Sequence, residues 1–410
     1  MSTPASNAPN ALATLSWTNL AAQSAEQISL AAVPIVAVMA LNAGPGEIGL
    51  LTAAQTLPFL LLSLPAGVLA DRWSRSRLMV LAETLRAASL LGLLLLVMLG
   101  GLSLPALALL GFIGATGTVG FSVAAPALVP TLVPRDALAR ANARLELARS
   151  IAFAAGPAVA GALVSWAGAS AAFVLATMLS LAAVAWLLRL PVTPRATASQ
   201  RQVLDELRHG AALVWRHPLL KPVMWTAVVW NISWFVLQAA YVPYAMRVLH
   251  LDASAVGFTL GCYGAGMLIG ALAASRLTRK LPFGIAVLLG PQVSVLAAGA
   301  MLATVLWPSM WPAALSFALF GACPLVWVVS TTTLRQTVVP AAMLGQVSAI
   351  FLTVNTGARP LGAAIGALVG SAWGEGACLA LAAVGFVLQA AVIAFSPVRV
   401  LRTLPAPAAA

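Results

Sequence analysis

The chain has 410 residues, of which 61% are hydrophobic and only 8% charged, with a mean hydropathy of +0.98 and a formal net charge of +12. A globular domain carries about 25% charged residues, so a soluble fold is excluded. Cys262, Cys323 and Cys378 are far apart and form no CxxC, and His209, His217 and His250 have no helical metal-ligand spacing, so no metal site or disulfide framework is expected.

The amino-terminal "MSTPASNAPNALATLS" lacks the basic start of a cleaved signal peptide, so the first apolar segment is expected to be a retained span. Apolar runs long enough to cross a bilayer occur at about 14–40, 48–70, 78–100, 103–129, 141–166, 169–190, 219–246, 254–275, 283–306, 311–334, 346–371 and 376–396. They predict an all-α integral membrane protein with twelve transmembrane helices.

Span 1 holds Glu26 near its middle, with Asn19, Gln23 and Gln27 on the same helical face. A carboxylate at membrane depth is costly and by default marks an ion or substrate path. Glu26 is therefore the candidate proton carrier, and the competing reading is a structural pairing with an arginine. Between spans 2 and 3, Asp71, Arg72, Arg75 and Arg77 crowd into seven residues just after Gly67. Glu83 with Arg86 in span 3, and Glu146 with Arg149 in span 5, stand at i, i+3 and read as mutually neutralising pairs. Span 5 also carries Gly156-Pro157, which removes one backbone hydrogen bond and permits a kink. The small face of Gly156, Ala160 and Gly161 allows close helix contact.

The longest connection, residues 191–218, separates a six-span half at 1–190 from a second six-span half and short tail at 219–410. Val203, Leu207 and Val214 fall on one face within it, predicting an amphipathic helix at the cytoplasmic surface, read as a solvated linker helix without chemistry of its own. Span 7 places Asn231, Trp234, Gln238 and Tyr241 along one face, and Trp327, Ser330, Asn355 and Arg359 follow in spans 10 and 11. Rings and amides on a cavity wall suit a bulky, partly apolar small molecule; the alternative is packing or interfacial anchoring. Arg359 is read either as an attractor of anionic substrate, as a partner of Glu26, or as structural.

Of the 22 basic residues, eighteen lie on one set of connections and tails, Arg247 alone lies on the other, and Arg86, Arg149 and Arg359 lie inside spans. Lys and Arg resist translocation, so the rich side and both termini are expected in the cytoplasm. The positive charge is thus a topology signal, and no nucleic-acid partner is expected. The chain also resembles itself. A shift of 203 sets "GVLADRWSRSRL" on "GALAASRLTRKL", with Ala274 opposite Asp71. A shift of 206 sets "VPRDALARANA" on "VPAAMLGQVSA", Gly156 on Gly362 and Gly168 on Gly374. Two parallel, pseudo-symmetric six-helix bundles with a substrate site near the midplane are the expected plan.

The run Gly67-Val-Leu-Ala-Asp71-Arg72-x-x-Arg75-x-Arg77 resembles the signature of the major facilitator superfamily, and "AAGPAVAGAL" resembles the Gly-Pro motif of its antiporters. The phrases "LRHGAALVWRHPLLKPVM" and "LRQTVVPAAMLGQVSAIFLTVNTGARPLGAAIGALV" are similar to the branch holding macrolide-efflux pumps and enterobactin exporters. Ser74 and Ser76 depart from the loop signature, Ala143, Ala152 and Ala160 replace motif glycines, and span 4 lacks the arginine often tied to proton coupling. The resemblance implies a cytoplasmic gate at Gly67, Asp71, Arg72, Arg75 and Arg77, and an acid at Glu26 like that of related exporters. It implies a monomeric inner-membrane efflux protein that exports a small amphipathic compound, a drug-like molecule or a siderophore, by alternating access. No nucleotide-binding GxxxxGK[ST] occurs, so the energy source is expected to be the proton gradient, with no cofactor. The alternatives are an importer on the same fold, a transport-dead sensor, and an integral-membrane enzyme, which would need a convergent His, Asp or Cys cluster that the sequence does not offer.

Overall fold

In the computed structural model the described residues are 8–132, 138–190, 203–340 and 343–405. Arg135, Arg195 and Arg201 lie outside them, as do the side chains of Asp71, Arg72, Arg140, Val203, Leu207 and Arg208. The helices run α1 (Ala8–Leu41), α2 (Pro45–Arg72), α3 (Arg75–Met98), α4 (Leu104–Leu132), α5 (Leu138–Ala167), α6 (Ala169–Leu187), α7 (Val203–Arg216), α8 (Leu220–Arg247), α9 (Ala253–Lys280), α10 (Phe283–Leu306), α11 (Met310–Val338) and α12 (Leu344–Ala394). All except the amphipathic α7 are long and apolar enough to cross a membrane. At 1.5 Å per residue the 51 residues of α12 would extend roughly 76 Å, more than twice a hydrocarbon core of about 30 Å. Gly374, at φ 78° and ψ −173°, breaks it into two arms, giving the expected twelve crossings.

Helix boundaries follow local chemistry. Ahead of α2, the Gly44 amide donates to Glu47 Oε2 at 2.9 Å, and Pro45 takes the first helical position, where no amide is needed. At the start of α9 the Ala255 amide donates to Asp252 Oδ1 at 2.8 Å.

The internal repeat is visible in the geometry. α2 and α9 both have 28 residues, α3 and α10 both have 24, and α4 and α11 both have 29. Asn42 and His250, the two non-glycine residues with positive φ among those described (52° and 53°), occupy the same place before α2 and α9. Gly168 and Gly374, at φ 83° and 78°, occupy the same place at the α5–α6 turn and the α12 break, as the shift of 206 requires. The shift of 203 at the α2–α3 connection is corrected. α2 starts at Pro45 and ends at Arg72, whereas α9 starts at Ala253 and ends at Lys280, so Asp71 corresponds to Arg279 and not to Ala274. Repeated Gly, Ala and Leu let the sequence match slip by five residues where the helix ends do not.

By internal contacts the chain forms two units, Met1–Ala43 with Ala54–Ser199 and Asp252–Gly261, and Gly44–Ala53 with Gln200–Leu251 and Cys262–Ala410. In the first, α1 packs on α5 and α6, and α3 on α4 and α6, around a core that includes Leu15, Met79, Phe121, Leu128 and Leu187. In the second, α8 packs on both arms of α12, and α10 on α11, around a core that includes Leu220, Val287, Leu334, Val347 and Phe351. The first turns of α9 belong to the first unit because they meet α5 backbone to backbone. A Cβ at Gly161 would collide with the Ala253 carbonyl, and one at Gly257 with the Pro157 carbonyl. The first turns of α2 belong to the second unit by the equivalent contact, where a Cβ at Gly49 would lie 2.6 Å from Ala367 Cα.

Candidate functional site

Glu26 is drawn into an ionic cluster inside the first unit. Ala22 and Ala25, both fully buried, leave room beside α1 for the long side chain of Arg86 to reach across from α3. α4 closes on the other side because Gly117 lies so near α3 that a Cβ there would collide with the Ala82 carbonyl. That approach brings Thr118 and Phe121 to the guanidinium. Arg86 Nη1 donates to Glu83 Oε2 at 2.7 Å and to the Ala22 carbonyl at 3.1 Å. Its Nη2 donates to Thr118 Oγ1 at 3.0 Å and stands 3.7 Å from Glu26 Oε2. The guanidinium carbon lies 5.7 Å from the Phe121 ring centroid. From α6, Ser180 Oγ donates to Glu83 Oε1 at 2.5 Å.

The two carboxylates differ in setting. Glu83 is fully buried and has both oxygens hydrogen-bonded, whereas the Glu26 side chain keeps 16% of its surface exposed at ion-pair distance. An isolated charge in a low-dielectric interior is very costly, and pairing with hydrogen bonds removes most of that cost. Glu83 and Arg86 form such a fixed pair; Glu26 is the more exposed of the two carboxylates. The pairing of Glu83 with Arg86 agrees with the sequence reading, and so does that of Glu146 with Arg149, joined at 2.7 Å. An arginine partner for Glu26 is the competing reading of the sequence, but the sequence does not single out Arg86, nor the parts of Ser180 and Thr118. The signal was a second polar group on each span, but contacts between helices far apart in sequence leave no spacing to read.

The neighbours of Glu26 on α1 have other tasks. Asn19 Nδ2 donates to the Leu145 carbonyl at 3.0 Å and ties α1 to α5. Gln27 is buried where α5 comes closest, since a Cβ at Gly156 would lie 2.5 Å from Gln27 Cβ. Gln23 remains half-buried. Gly156, Pro157 and Gly161 sit within an α5 that runs from Leu138 to Ala167, and serve close packing against α1 and α9.

In the second unit, the positions matching Ala22 and Glu26 hold Trp230 and Trp234, which stack at 5.4 Å. The position matching Arg86 holds Ser294, whose hydroxyl accepts the Trp230 indole N–H at 3.1 Å. Trp234 further meets Tyr263, Phe317 and Phe320 at 5.0–5.9 Å, and Tyr241 meets Phe317 at 4.5 Å. With 8% and 0% exposure, Trp234 and Tyr241 are helix-packing groups here. Asn231 bonds back to the Ala227 carbonyl. Gln238, Trp327, Asn355 and Arg359 are half-buried, and Ser330 is buried with its hydroxyl unpartnered among the described residues. At the α2–α3 connection, a Cβ at Gly67 would meet nothing within 4 Å, Arg75 is half-exposed and Arg77 exposed; the side chains of Asp71 and Arg72 lie outside the described residues.

Among the described residues, twelve apolar crossings in a repeated helical plan with an ionic cluster at membrane depth are those of a multi-pass membrane protein. The chain matches the Major Facilitator Superfamily model over residues 15–363 and belongs to that superfamily, which makes it a transporter and not an enzyme. It is similar to y4rN of Sinorhizobium fredii, an uncharacterized MFS-type transporter, with 29% identity over 355 residues and 82% of each chain. It is also similar to the enterobactin exporter EntS of Shigella boydii, with 28% identity over 303 residues, 73% of this chain and 71% of that one. Among solved structures, a bacterial homologue of the iron transporter ferroportin aligns with a TM-score of 0.74 at 17% identity, covering 94% of this chain and 98% of the other. The nucleoside transporter NupG aligns at 0.75 and 15% identity, covering 94% and 99%. At such identities these two show the fold alone.

Proposed function

We propose that the protein is a proton-driven exporter of a small amphipathic compound, drug-like or siderophore-like, working by alternating access in the inner membrane with both termini cytoplasmic. The observation that carries the reading is the Glu26 carboxylate itself, which lies at membrane depth and keeps 16% of its side chain exposed although Arg86 stands 3.7 Å away; a purely structural pair with Arg86 is the competing reading. Such residues within spans are costly and are kept for ion or substrate movement. Arg86 supplies from α3 the cation that α4 lacks. The direction of transport rests on the similarity to an enterobactin exporter. In this reading Glu26 loads and releases the proton, Gln23, Asn231, Gln238, Trp327, Asn355 and Arg359 supply polar and aromatic contacts to substrate, and Gly67, Asp71, Arg72, Arg75 and Arg77 gate the cytoplasmic side. The protein works as a monomer and needs no cofactor.

The test is transport in proteoliposomes under an imposed pH gradient. Candidate catecholate siderophores and cationic drugs are assayed one at a time, with a protonophore control. Uphill movement that the protonophore abolishes supports the reading, and uphill movement that survives it rejects proton coupling.

A further inference from the structure

The junction between α7 and α8 is built in two layers. On its inner side Val214 is buried with Leu220, Val223 and Met224 against Val347 and Phe351 of α12. Gly210 lets α7 settle there, since a Cβ at that position would come within 3.1 Å of Gln346 Cβ. The outer side is different. Trp215 and Trp225 are 53% and 40% exposed and meet edge to face at 5.9 Å. Lys221 Nζ lies 5.0 Å over the Trp215 ring, and Arg216 next to it is exposed. Neither cation has a carboxylate partner among the described residues.

Lys221 rests on the Trp215 ring, Arg216 is the next residue of α7, and with no carboxylate partner for either among the described residues the elbow carries positive charge that an anion would offset. The indoles restrict which anion fits, because tryptophan favours the headgroup level of a bilayer, with its ring in apolar surroundings and its N–H wet. The junction joins an amphipathic surface helix to the first turn of a span, which is that level. Anionic lipid attracts juxtamembrane Lys and Arg, and an ammonium resting on an aromatic face keeps its outward N–H groups free to donate. We propose that this elbow seats the headgroup of an anionic phospholipid, with Lys221 and Arg216 on the phosphate and Trp215 and Trp225 beside the glycerol and upper chain. A lipid held there clamps α7 onto α12.

Native mass spectrometry of the detergent-solubilised full chain, titrated with phosphatidylglycerol or phosphatidylcholine, tests the assignment. Wild-type protein is expected to retain phosphatidylglycerol in preference to phosphatidylcholine. The double change Arg216→Gln with Lys221→Gln should weaken that site by about thirtyfold, each single change by about fivefold, and Lys221→Arg should keep it. Both side chains are exposed, so melting in phosphatidylcholine should not move, and if the double variant does melt early the single changes decide. Equal phosphatidylglycerol affinity in wild-type and substituted protein overturns the proposal. So does retention of phosphatidylcholine as tight as phosphatidylglycerol, or displacement of the lipid by soluble glycerol phosphate at matched concentration, which would make this a general anion site.

Discussion

Arg86 holds two carboxylates at unequal distances, with Nη1 2.7 Å from Glu83 Oε2 and Nη2 3.7 Å from Glu26 Oε2. The close contact belongs to a closed hydrogen-bonded set, and the distant one to a side chain still partly exposed. Removing the cation alone strands Glu83, which is fully buried. Arg86→Leu is therefore expected to destabilise by about 3–5 kcal/mol, read as a lower melting temperature and aggregation on size exclusion. Glu83→Gln with Arg86→Leu removes the stranded charge and should recover most of the loss. Equal melting of the single and double variants would contradict the fixed-pair assignment.

Glycines divide by what surrounds them. A Cβ at Gly161 would collide with the Ala253 carbonyl, whereas one at Gly299 of α10 would meet nothing within 4 Å. Gly161→Ala should destabilise by about 1–3 kcal/mol through overpacking. Gly299→Ala should stabilise by about 0.5–1 kcal/mol, because alanine loses less backbone freedom in a helix. Chemical denaturation in one detergent checks both signs.

His217 lies in the turn between α7 and α8, where burial lowers its pKa from 6.5. Its Nδ1 accepts the Leu219 amide at 3.2 Å, which requires an unprotonated nitrogen. The unfolded chain then binds the proton more readily than the folded one. This contribution to stability is full above pH 6.5 and declines as pH falls toward the lowered folded value. Hydrogen exchange in a peptide spanning 213–222 should accelerate between pH 7 and pH 5 beyond the intrinsic chemical change, and His217→Asn should remove the excess.

The orientation has a direct check. Ser103, just before α4, and Arg279, in the last turn of α9, are both exposed and lie at helix ends of opposite basic content. With Cys262, Cys323 and Cys378 replaced, a membrane-impermeant maleimide applied to intact cells should label Ser103→Cys and leave Arg279→Cys unlabelled. The reverse pattern would invert the topology.

The spans, the α7 helix and the Gly168–Gly374 correspondence were legible because hydropathy, amphipathic period and a conformationally permissive residue each leave a local mark. The match of Asn42 with His250 was not, since neither residue type announces a positive φ. The pairing of Glu83 with Arg86 could be read from an i, i+3 spacing. The reach of Arg86 to Glu26 depends on how closely α1, α3 and α4 approach, which Ala22 and Gly117 decide without any charge pattern. Tyr241 shows why a cavity face is hard to read from spacing: a buried ring lodged against Phe317 has the same helical period as one lining a cavity.

The most direct measurement of the central claim compares wild-type and Glu26→Gln protein in proteoliposomes, for uphill transport under a pH gradient and for substrate counterflow without one. Glu26→Gln keeps size and hydrogen bonding but cannot take up or release a proton. If Glu26 carries the coupled proton, uphill transport falls to below about a tenth of wild type, the change expected when a group that must transfer a proton is lost. Counterflow, which needs only substrate binding and alternation, persists. Uphill transport at the wild-type rate with wild-type proton flux would contradict the account and place the carrier on another residue.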